Sequence, residues 1–359
     1  MRKYLGGTVA LAALTAILLA ACNSGGDGDK KATTGSLSVS EAASSARLAA
    51  KAASTLSKLM PAPSGRKFAR ASTIHSKNIT AVVAPDSTPI NCGVSGTYSS
   101  STSTDGITTE TYAECVDNVN YGAPPVQATE YRNGTTSFSS SINVIHETRG
   151  AANLPFTDRY TSIASGKLLQ ESIDNYTAIG TISGEFTCSG TYSMAVTLNG
   201  TSVFKVDEDT NGTLDQDGSA TFTSLALESS TVNDTGCNQT SSSMKFIGTI
   251  AVVDNLNAEN SITMTSTASN PFSETDTFTK DRISSVISGT VTVASKCANG
   301  TLTYTTVQPI VVVGYDTCPI SGMITLTGDV NTTVTFNSDG SVDVGGTHFK
   351  SCNDAKVCS

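Results

Sequence analysis

The sequence predicts a mainly β protein: an antiparallel up-and-down meander that closes as a sandwich or half-barrel, preceded by one N-terminal helix. From about Asn78 onward, apolar and hydroxyl side chains alternate with a period of two, as in Ile262-Thr263-Met264-Thr265. One apolar and one hydroxyl face are typical of an antiparallel sheet wetted on one side. Asn-Gly and Asp-Gly pairs, which favour tight hairpins, recur between these runs. They are Asp105-Gly106, Asn133-Gly134, Asn199-Gly200, Asn299-Gly300 and Asp339-Gly340.

The helix is predicted over Ser38 to Met60. Ser38 and Glu41 have the spacing of a capping box, in which the side chain of each residue accepts a hydrogen bond from the backbone N–H of the other. Pro61 follows and ends the helix, because proline lacks the N–H that would continue it. The helix is therefore a separate element between the N-terminus and the β strands.

Five segments are expected along the chain. Residues 1–21 form a signal peptide and 22–36 a flexible, Gly-rich tether. Residues 37–77 hold the helix and a basic linker. Residues 78–284 form the antiparallel β domain and residues 285–359 a disulfide-rich β module.

The N-terminus indicates export. Arg2 and Lys3 precede an apolar run that ends in small residues and is short for a membrane span. Its last residues, Leu19-Ala20-Ala21-Cys22, resemble the lipobox of bacterial lipoproteins. The resemblance covers these four residues only, and no family is recognised for the body. It implies cleavage before Cys22 and covalent acyl chains on Cys22. The alternatives are an ordinary signal peptide with a chance cysteine, and an uncleaved anchor helix.

The predicted location is the outer membrane, with the protein held there by its lipid. In enteric bacteria an Asp after the lipidated cysteine favours retention in the inner membrane, and this chain has Asn23 there. Whether the body faces the periplasm or the cell surface stays open.

Charge is divided unevenly along the chain. Residues 23–77 carry nine basic and three acidic side chains, whereas residues 78–359 carry eleven basic and twenty-eight acidic ones. Anionic lipid headgroups would attract the basic part next to the anchor, and the acidic body would be repelled from them. An acidic body makes nucleic acid an unsuitable partner. The other interpretation is that both segments are simply solvated surfaces.

Eight cysteines remain after lipidation of Cys22, and an even number in an exported protein favours disulfides. No C-x-x-C pair is present, which argues against a zinc ribbon or a thioredoxin-type site. Repeated strand-start and turn motifs around the cysteines favour Cys92–Cys115 and Cys188–Cys237. For the last four, Cys297–Cys318 with Cys352–Cys358 is placed ahead of Cys318–Cys352 with Cys297–Cys358.

One acidic loop resembles the calcium loop of EF-hand proteins. Oxygen-bearing side chains recur at alternate positions, and Gly212 permits a sharp turn between them. The candidate calcium ligands are Asp207, Asp209, Asn211, Thr213 (through its carbonyl), Asp215 and Asp217. The twelfth position is Gly218 instead of the bidentate Glu, and the flanks are predicted strands, not helices. The alternative is a solvated acidic hairpin loop, and no other cofactor is predicted.

Catalysis is not predicted. His75, His146 and His348 are the three histidines, none at H-x-x-x-H spacing, and no G-x-S-x-G or phosphate-binding glycine motif is present. His146 is expected on the apolar side of its strand as a structural residue. A hydrolase would require His146 or His348 to meet a carboxylate and a serine in a cleft.

The predicted function is a non-catalytic structural, adhesion or assembly role on the outer membrane or cell surface. The expected partners are the membrane, through the lipid anchor, and surface proteins or polymers. The alternative is a periplasm-facing carrier of lipid or another apolar ligand. An internal cavity lined by the Val, Ile and Phe face would support a carrier, and a tightly filled core would argue against one.

Overall fold

A computed structural model describes residues 88–350, except 122–124, 140–142, 152–153, 185–188, 208–210, 237, 257, 259–260, 280, 296–298, 314–318 and 330. The lipobox, the tether and the predicted helix at Ser38 to Met60 lie outside these residues. The described part is built from β strands, and it contains no helix of the length and apolarity needed to cross a membrane.

Eighteen strands follow one another along the described chain. In order they are β1 (Ile90–Asn91), β2 (Ser95–Thr102), β3 (Ile107–Tyr121), β4 (Val126–Ser139), β5 (Val144–Arg149), β6 (Phe156–Ser162), β7 (Leu168–Ser183), β8 (Thr191–Val206), β9 (Gln216–Asn233), β10 (Gln239–Asp254), β11 (Ile262–Ser266), β12 (Phe272–Phe278), β13 (Arg282–Ser295), β14 (Asn299–Val313), β15 (Ser321–Gly328), β16 (Thr332–Phe336), β17 (Val342–Val344) and β18 (Thr347–Phe349).

All the strands belong to one antiparallel sheet, which confirms the predicted up-and-down meander. Two positions in the sheet are each filled by two short strands in line. β5 and β6 both lie between β4 and β7, and β11 and β12 both lie between β10 and β13. The sheet is also continuous across residues 284 and 285, where the sequence suggested a module boundary, because both residues lie inside β13.

The apolar face of the sheet, which we call the inner face, forms the core. Alternate residues of β8, among them Met194, Val196 and Leu198, point to this face and are buried. Buried side chains from Ile145 to Phe349 make one continuous hydrophobic cluster. Strands far apart in sequence therefore share a single core, as expected from a strict period of two.

The opposite, outer face carries rows of hydroxyl groups that bond across neighbouring strands. Thr290 and Thr303 Oγ1 are 2.7 Å apart, and Thr292 and Thr301 Oγ1 are 2.9 Å apart. Equivalent pairs join β10 to β11 and β12 to β13. Cross-strand Thr and Ser pairs of this kind stabilise a sheet and keep its wet face polar.

Of the five predicted hairpin turns, two are correct and three are misplaced. Asp105-Gly106 forms the turn between β2 and β3, and Asp339-Gly340 the turn between β16 and β17. Asn133-Gly134 and Asn199-Gly200, however, lie in the middle of β4 and β8. Asn299-Gly300 begins β14 and does not itself form the turn.

The mid-strand Asn-Gly pairs stabilise bulges in the neighbouring strand. Asn199 Oδ1 accepts the Ser224 N–H at 2.7 Å, and Ser224 has a φ of 46°. Gly200 has a φ of +120°, and a Cβ on it would lie 2.1 Å from the Asn175 carbonyl oxygen. Thus the Asn side chain accepts a hydrogen bond from a backbone N–H in the bulge, and Gly permits the neighbouring backbone to approach closely. The preference of Asn-Gly pairs for hairpin turns does not indicate this use of the pair.

The predicted orientation of His146 is wrong. The continuous alternation from Ser137 to His146 suggested one strand, but β4 ends at Ser139 and β5 begins at Val144. The connection changes the phase of the alternation, so that Ile145 is buried while Val144 is exposed and His146 is half-buried. His146 lies on the outer face, because a one-residue change of phase exchanges the two faces of a strand.

The Cys92–Cys115 disulfide is confirmed. It joins the turn after β1 to the middle of β3, with a Cα–Cα distance of 5.5 Å. Tyr112 and Phe156 pack with it in a small buried cluster. The bridge therefore fastens the edge of the sheet to its interior.

The other six cysteines lie outside the described residues, but their neighbours restrict the pairing. Cys188 precedes β8 and Cys237 follows β9, and these two strand ends are adjacent, since the Asn233 N–H donates to the Gly190 carbonyl at 2.9 Å. Cys297 precedes the first residue of β14, Asn299, and Cys318 follows its last residue, Val313. Fourteen residue steps in a strand correspond to roughly 45 Å, which is far beyond the reach of a disulfide.

We therefore expect peptide mapping under non-reducing conditions to recover Cys318 linked to Cys352. Phe349, Val342, Phe336 and Gly322 are paired with one another in one row across the sheet. The strand ends next to Cys318 and Cys352 in the sequence therefore lie at the same end of the sheet. Cys92–Cys115 serves as the internal control. Recovery of a peptide that links Cys297 to Cys318 would contradict the strand order at β14.

Candidate functional site

Among the described residues, arginines, carboxylates and tyrosines form a network on the inner face of β3 to β7. Its members, which we call the arginine network, are Asp117, Glu130, Arg132, Glu147, Arg149, Asp158, Asp174, Tyr112, Tyr160 and Tyr176. Two Glu-x-Arg sequences supply its centre. Residues two apart in a strand share a face, which places each glutamate beside its own arginine.

Arg132 anchors the first half of the network. It donates from Nη2 to Glu130 Oε2 at 2.6 Å and from Nη1 to the Tyr112 hydroxyl oxygen at 2.9 Å. The second oxygen of Glu130 accepts the Tyr160 hydroxyl at 2.6 Å. Burial disfavours the charged guanidinium, but Glu130, Tyr112 and Asp158 together outweigh this cost and raise the pKa of Arg132. The ion pair is nearly closed to solvent, with side-chain exposures of 7% and 5%.

Arg149 anchors the second half in the same manner. It donates from Nε to Glu147 Oε1 at 2.8 Å and from Nη1 to Asp174 Oδ2 at 3.2 Å. Tyr176 donates its hydroxyl to Glu147 as well, at 3.1 Å. Ser202 donates to the other oxygen of Asp174. Each of these two carboxylates is therefore matched to a cation and to a neutral donor.

Asp158 lies between the two halves and lacks such a match. It faces Arg132 across the β4–β6 ladder, and its Oδ1 is enclosed with no hydrogen-bond partner among the described residues. Burial, and after it the charge of Glu130, raise the pKa of Asp158 to about 7 against the opposing effect of Arg149 and Arg132. Asp158 therefore exchanges a proton near neutral pH.

The tyrosines act as neutral donors. Burial raises the pKa of Tyr112, Tyr160 and Tyr176, each of which also has a glutamate as hydrogen-bond acceptor. A phenol held neutral is a poor nucleophile, and both arginines remain charged. The network can therefore bind and release one proton at Asp158 while its remaining polar groups stay paired, as in a structural ion-pair array.

Asp158 should make the protein more stable in mild acid. Because its folded pKa lies above that of an unfolded aspartate, its contribution is present below the unfolded pKa and is lost as pH rises through about 7. We expect Asp158→Asn to reduce the decline in unfolding free energy between pH 5 and pH 8, measured by urea denaturation. Asp329→Asn on the surface is the control. An unchanged pH dependence in Asp158→Asn would contradict this assignment.

A second candidate lies on the outer face, as a groove that crosses β7, β8, β9, β10 and β12. It has a volume of about 430 Å³. Its lining is rich in hydroxyls, which include Ser183, Ser193, Ser230, Ser243, Ser273 and Thr275. One ion pair lies in it, Lys245 Nζ to Glu228 Oε2 at 2.8 Å. We call this feature the hydroxyl groove, and its chemistry suits a neutral, hydrogen-bonding ligand.

The predicted calcium loop joins β8 to β9. Asp207 is fully buried and accepts the Asn211 and Gly212 N–H groups, while Asn211 Oδ1 accepts the Thr213 N–H at 2.7 Å. Lys167 Nζ donates to the Asn211 carbonyl at 3.2 Å, so a cation already lies against the loop.

The remaining candidate ligands are less closely gathered. Asp209 lies outside the described residues. Asp217 lies at the start of β9, and its Oδ1 accepts a hydrogen bond from the Asn255 side chain at 2.8 Å. The backbone N–H of Asp215 donates to the Val206 carbonyl. Calcium at this loop stays a prediction.

Among the described residues, the group of His, Cys, Asp and Glu atoms close enough for a shared metal is Cys92, Cys115 and Asp117. Both sulfurs are in the disulfide, and Asp117 Oδ1 accepts the Gly93 N–H at 2.7 Å. Disulfide sulfurs are not the thiolates that bind metal. This group is therefore structural.

Neither of the two described histidines, His146 and His348, resembles part of a catalytic centre. His348 Nδ1 is 2.8 Å from Asp343 Oδ1, but both side chains are exposed, at 58% and 41%. His146 is half-buried on the outer face of β5. Neither position has the enclosed carboxylate–histidine–serine arrangement that a hydrolase requires.

No family model, curated protein or solved structure matches this chain. The geometry of its own side chains therefore has to carry the functional argument. The arginine network was not predicted from the sequence, although one signal was present: two Glu-x-Arg runs in strands otherwise rich in Thr and Ser, at Glu130 to Arg132 and Glu147 to Arg149.

Proposed function

We propose that the mature protein is a lipid-anchored β platform of the outer membrane with a non-catalytic adhesion role. In this role the hydroxyl groove binds a polysaccharide. The observation that carries the proposal is the groove itself: a concavity of about 430 Å³ on the polar face, with walls from five neighbouring sheet positions. Strands on both sides hold it in shape, so little order has to be gained on binding.

The chemistry of the groove favours a neutral sugar polymer. Serine and threonine hydroxyls both donate and accept, which matches the alternating donors and acceptors of sugar hydroxyls. The groove has one ion pair, whose charges largely offset each other. The body as a whole is acidic, so a strongly anionic polymer would be repelled.

The anchor follows from the N-terminal sequence. Acyl chains on Cys22 would hold the chain on the membrane, since each buried methylene adds about 0.8 kcal/mol. The polar residues 23–36 would separate the body from the lipid, and the basic residues of 37–77 would interact with anionic headgroups. Membrane attachment and polymer binding would then lie in different parts of the chain.

The lipid-carrier alternative lacks an observation in its favour. The Val, Ile and Phe face that would line a carrier cavity is filled: Ile287, Leu302, Ile310 and Ile324 are each completely buried. A side chain packed on all sides leaves no room for an acyl chain. Within the part of the chain that the structure describes, the groove just described opens on the polar face instead.

Protease shaving of intact cells, followed by native purification from membranes, tests the proposal. We expect the body to be digested from outside and to co-purify with polysaccharide. Cys22→Ala is the matched control and should abolish membrane attachment while the β body still folds. Protection of the body, together with a co-purified lipid, would contradict the proposal and support the carrier.

A further inference from the structure

Two buried carboxyl groups lie side by side on the inner face of β12, away from the arginine network. The alternation of this strand turns Phe272, Glu274 and Asp276 inward, with Ser273 and Thr275 on the outer face. Glu274 and Asp276 are each only 1% exposed. Acidic side chains reach this degree of burial rarely unless they are paired or bind a metal.

The two groups differ in their partners. Asp276 accepts the Ser285 hydroxyl at 2.6 Å on one oxygen and the Ser242 hydroxyl at 3.3 Å on the other. Glu274 has both carboxylate oxygens enclosed, and neither has a hydrogen-bond partner among the described residues. Its neighbours across the ladders are Met244 and Ile287, which offer no strong donor. Glu274 is therefore an unpartnered acidic group inside the core.

Among the residues that the structure describes, no arginine or lysine forms an ion pair with either group, in contrast to Glu130 and Glu147 of the arginine network. Burial, and after it the charge of Asp276, raise the pKa of Glu274 well above its usual value. Burial also raises the pKa of Asp276 against the effect of its two serine donors. Glu274 and Asp276 are two residues apart on the same face of β12, which makes their side chains neighbours.

We propose that Glu274 and Asp276, with the Ser242 and Ser285 hydroxyls, form a buried binding site for a divalent cation of the calcium type. The donors are all oxygens, which hard cations prefer over softer metals. Two carboxylates balance the charge of one divalent ion, and the free oxygens of Glu274 would gain the partners they lack. This site is separate from the acidic loop between β8 and β9.

Calcium binding at this pair has to displace protons. Burial raises the pKa of both carboxyls, so protons compete with calcium for them, and both carboxyls must ionise to bind the metal. Each O–H bond that breaks releases its proton to the buffer, and the carboxylate oxygen left behind becomes a ligand. A purely structural acid pair would show no such coupling to calcium.

Thermal unfolding of the full, detergent-purified chain, first stripped with EGTA and then titrated with calcium chloride, tests the site. We expect the unfolding midpoint to rise by several degrees with calcium, because a ligand that binds only the folded state stabilises it. Titration calorimetry in two buffers of different ionisation enthalpy should show proton release. Glu274→Gln and Asp276→Asn should abolish both the calcium shift and the proton release.

A matched variant separates this site from the acidic loop. Asp215→Asn changes the loop and leaves β12 intact, so the calcium shift should persist in it. Loss of the shift in Asp215→Asn, its persistence in both β12 variants, or no shift in the parent chain would each overturn the proposal. Both β12 substitutions replace an acid by its neutral amide of the same size, so a folded core is expected in each.

Discussion

Arg132→Met is expected to lower the free energy of unfolding by about 3–5 kcal/mol, because it leaves a buried carboxylate without its cation. Glu130 is closed to solvent and bonds Arg132 at 2.6 Å, and Asp117 lies 3.9 Å from the same guanidinium. Chemical denaturation at pH 7 with a two-state fit measures the loss. Adding Glu130→Gln to Arg132→Met should recover part of it, since the uncompensated charge is then removed.

The Arg159–Glu171 pair is the matched control for this prediction. Its shortest N–O distance is also 2.6 Å, but the Arg159 side chain is 46% exposed, and Lys205 provides a second cation at 3.3 Å. Arg159→Met should therefore cost less than about 1 kcal/mol, as exposed pairs do. Equal losses for Arg132→Met and Arg159→Met would show that enclosure of the network does not control its energetics.

Leu302→Ala is expected to cost about 3–4 kcal/mol of unfolding free energy. Leu302 is completely buried near the start of β14, and its removal leaves a cavity in a close-packed core in addition to the lost apolar burial. The same change at Leu256, which is 53% exposed, should cost less than about 1 kcal/mol. Urea unfolding of both variants measures the difference.

This comparison also distinguishes a filled core from a carrier cavity. A small loss at Leu302, with retained binding of a fluorescent fatty acid, would indicate that the inner face has room for an apolar ligand. Such a result would favour the lipid-carrier function over adhesion.

The meander could be predicted from the sequence because its determinants are local. The alternation in Ile262 to Thr265 assigns each side chain to a face, and short connections between such runs require neighbouring antiparallel strands. The Cys92–Cys115 bridge also followed from a local motif. In each case, neighbouring residues carried the information.

The errors arose where two strands interact. Asn199-Gly200 has the composition of a hairpin, but its role is set by the Ser224 bulge in the next strand. The phase of His146 depended on where β4 ends, which alternation alone does not mark. The burial of the Arg132 side chain could not be predicted from composition, because it depends on partners from β3 and β6.

Polysaccharide binding by the hydroxyl groove is the central claim, and its most direct test is co-sedimentation of the full chain with neutral polysaccharide from the surface of its own cells. Ala195→Trp should abolish co-sedimentation, because Ala195 is exposed in the groove and an indole there would fill it. Thr327→Trp, on an exposed position of β15 outside the groove, should leave it unchanged. Undiminished binding in Ala195→Trp, or no binding by the parent chain, would contradict the account.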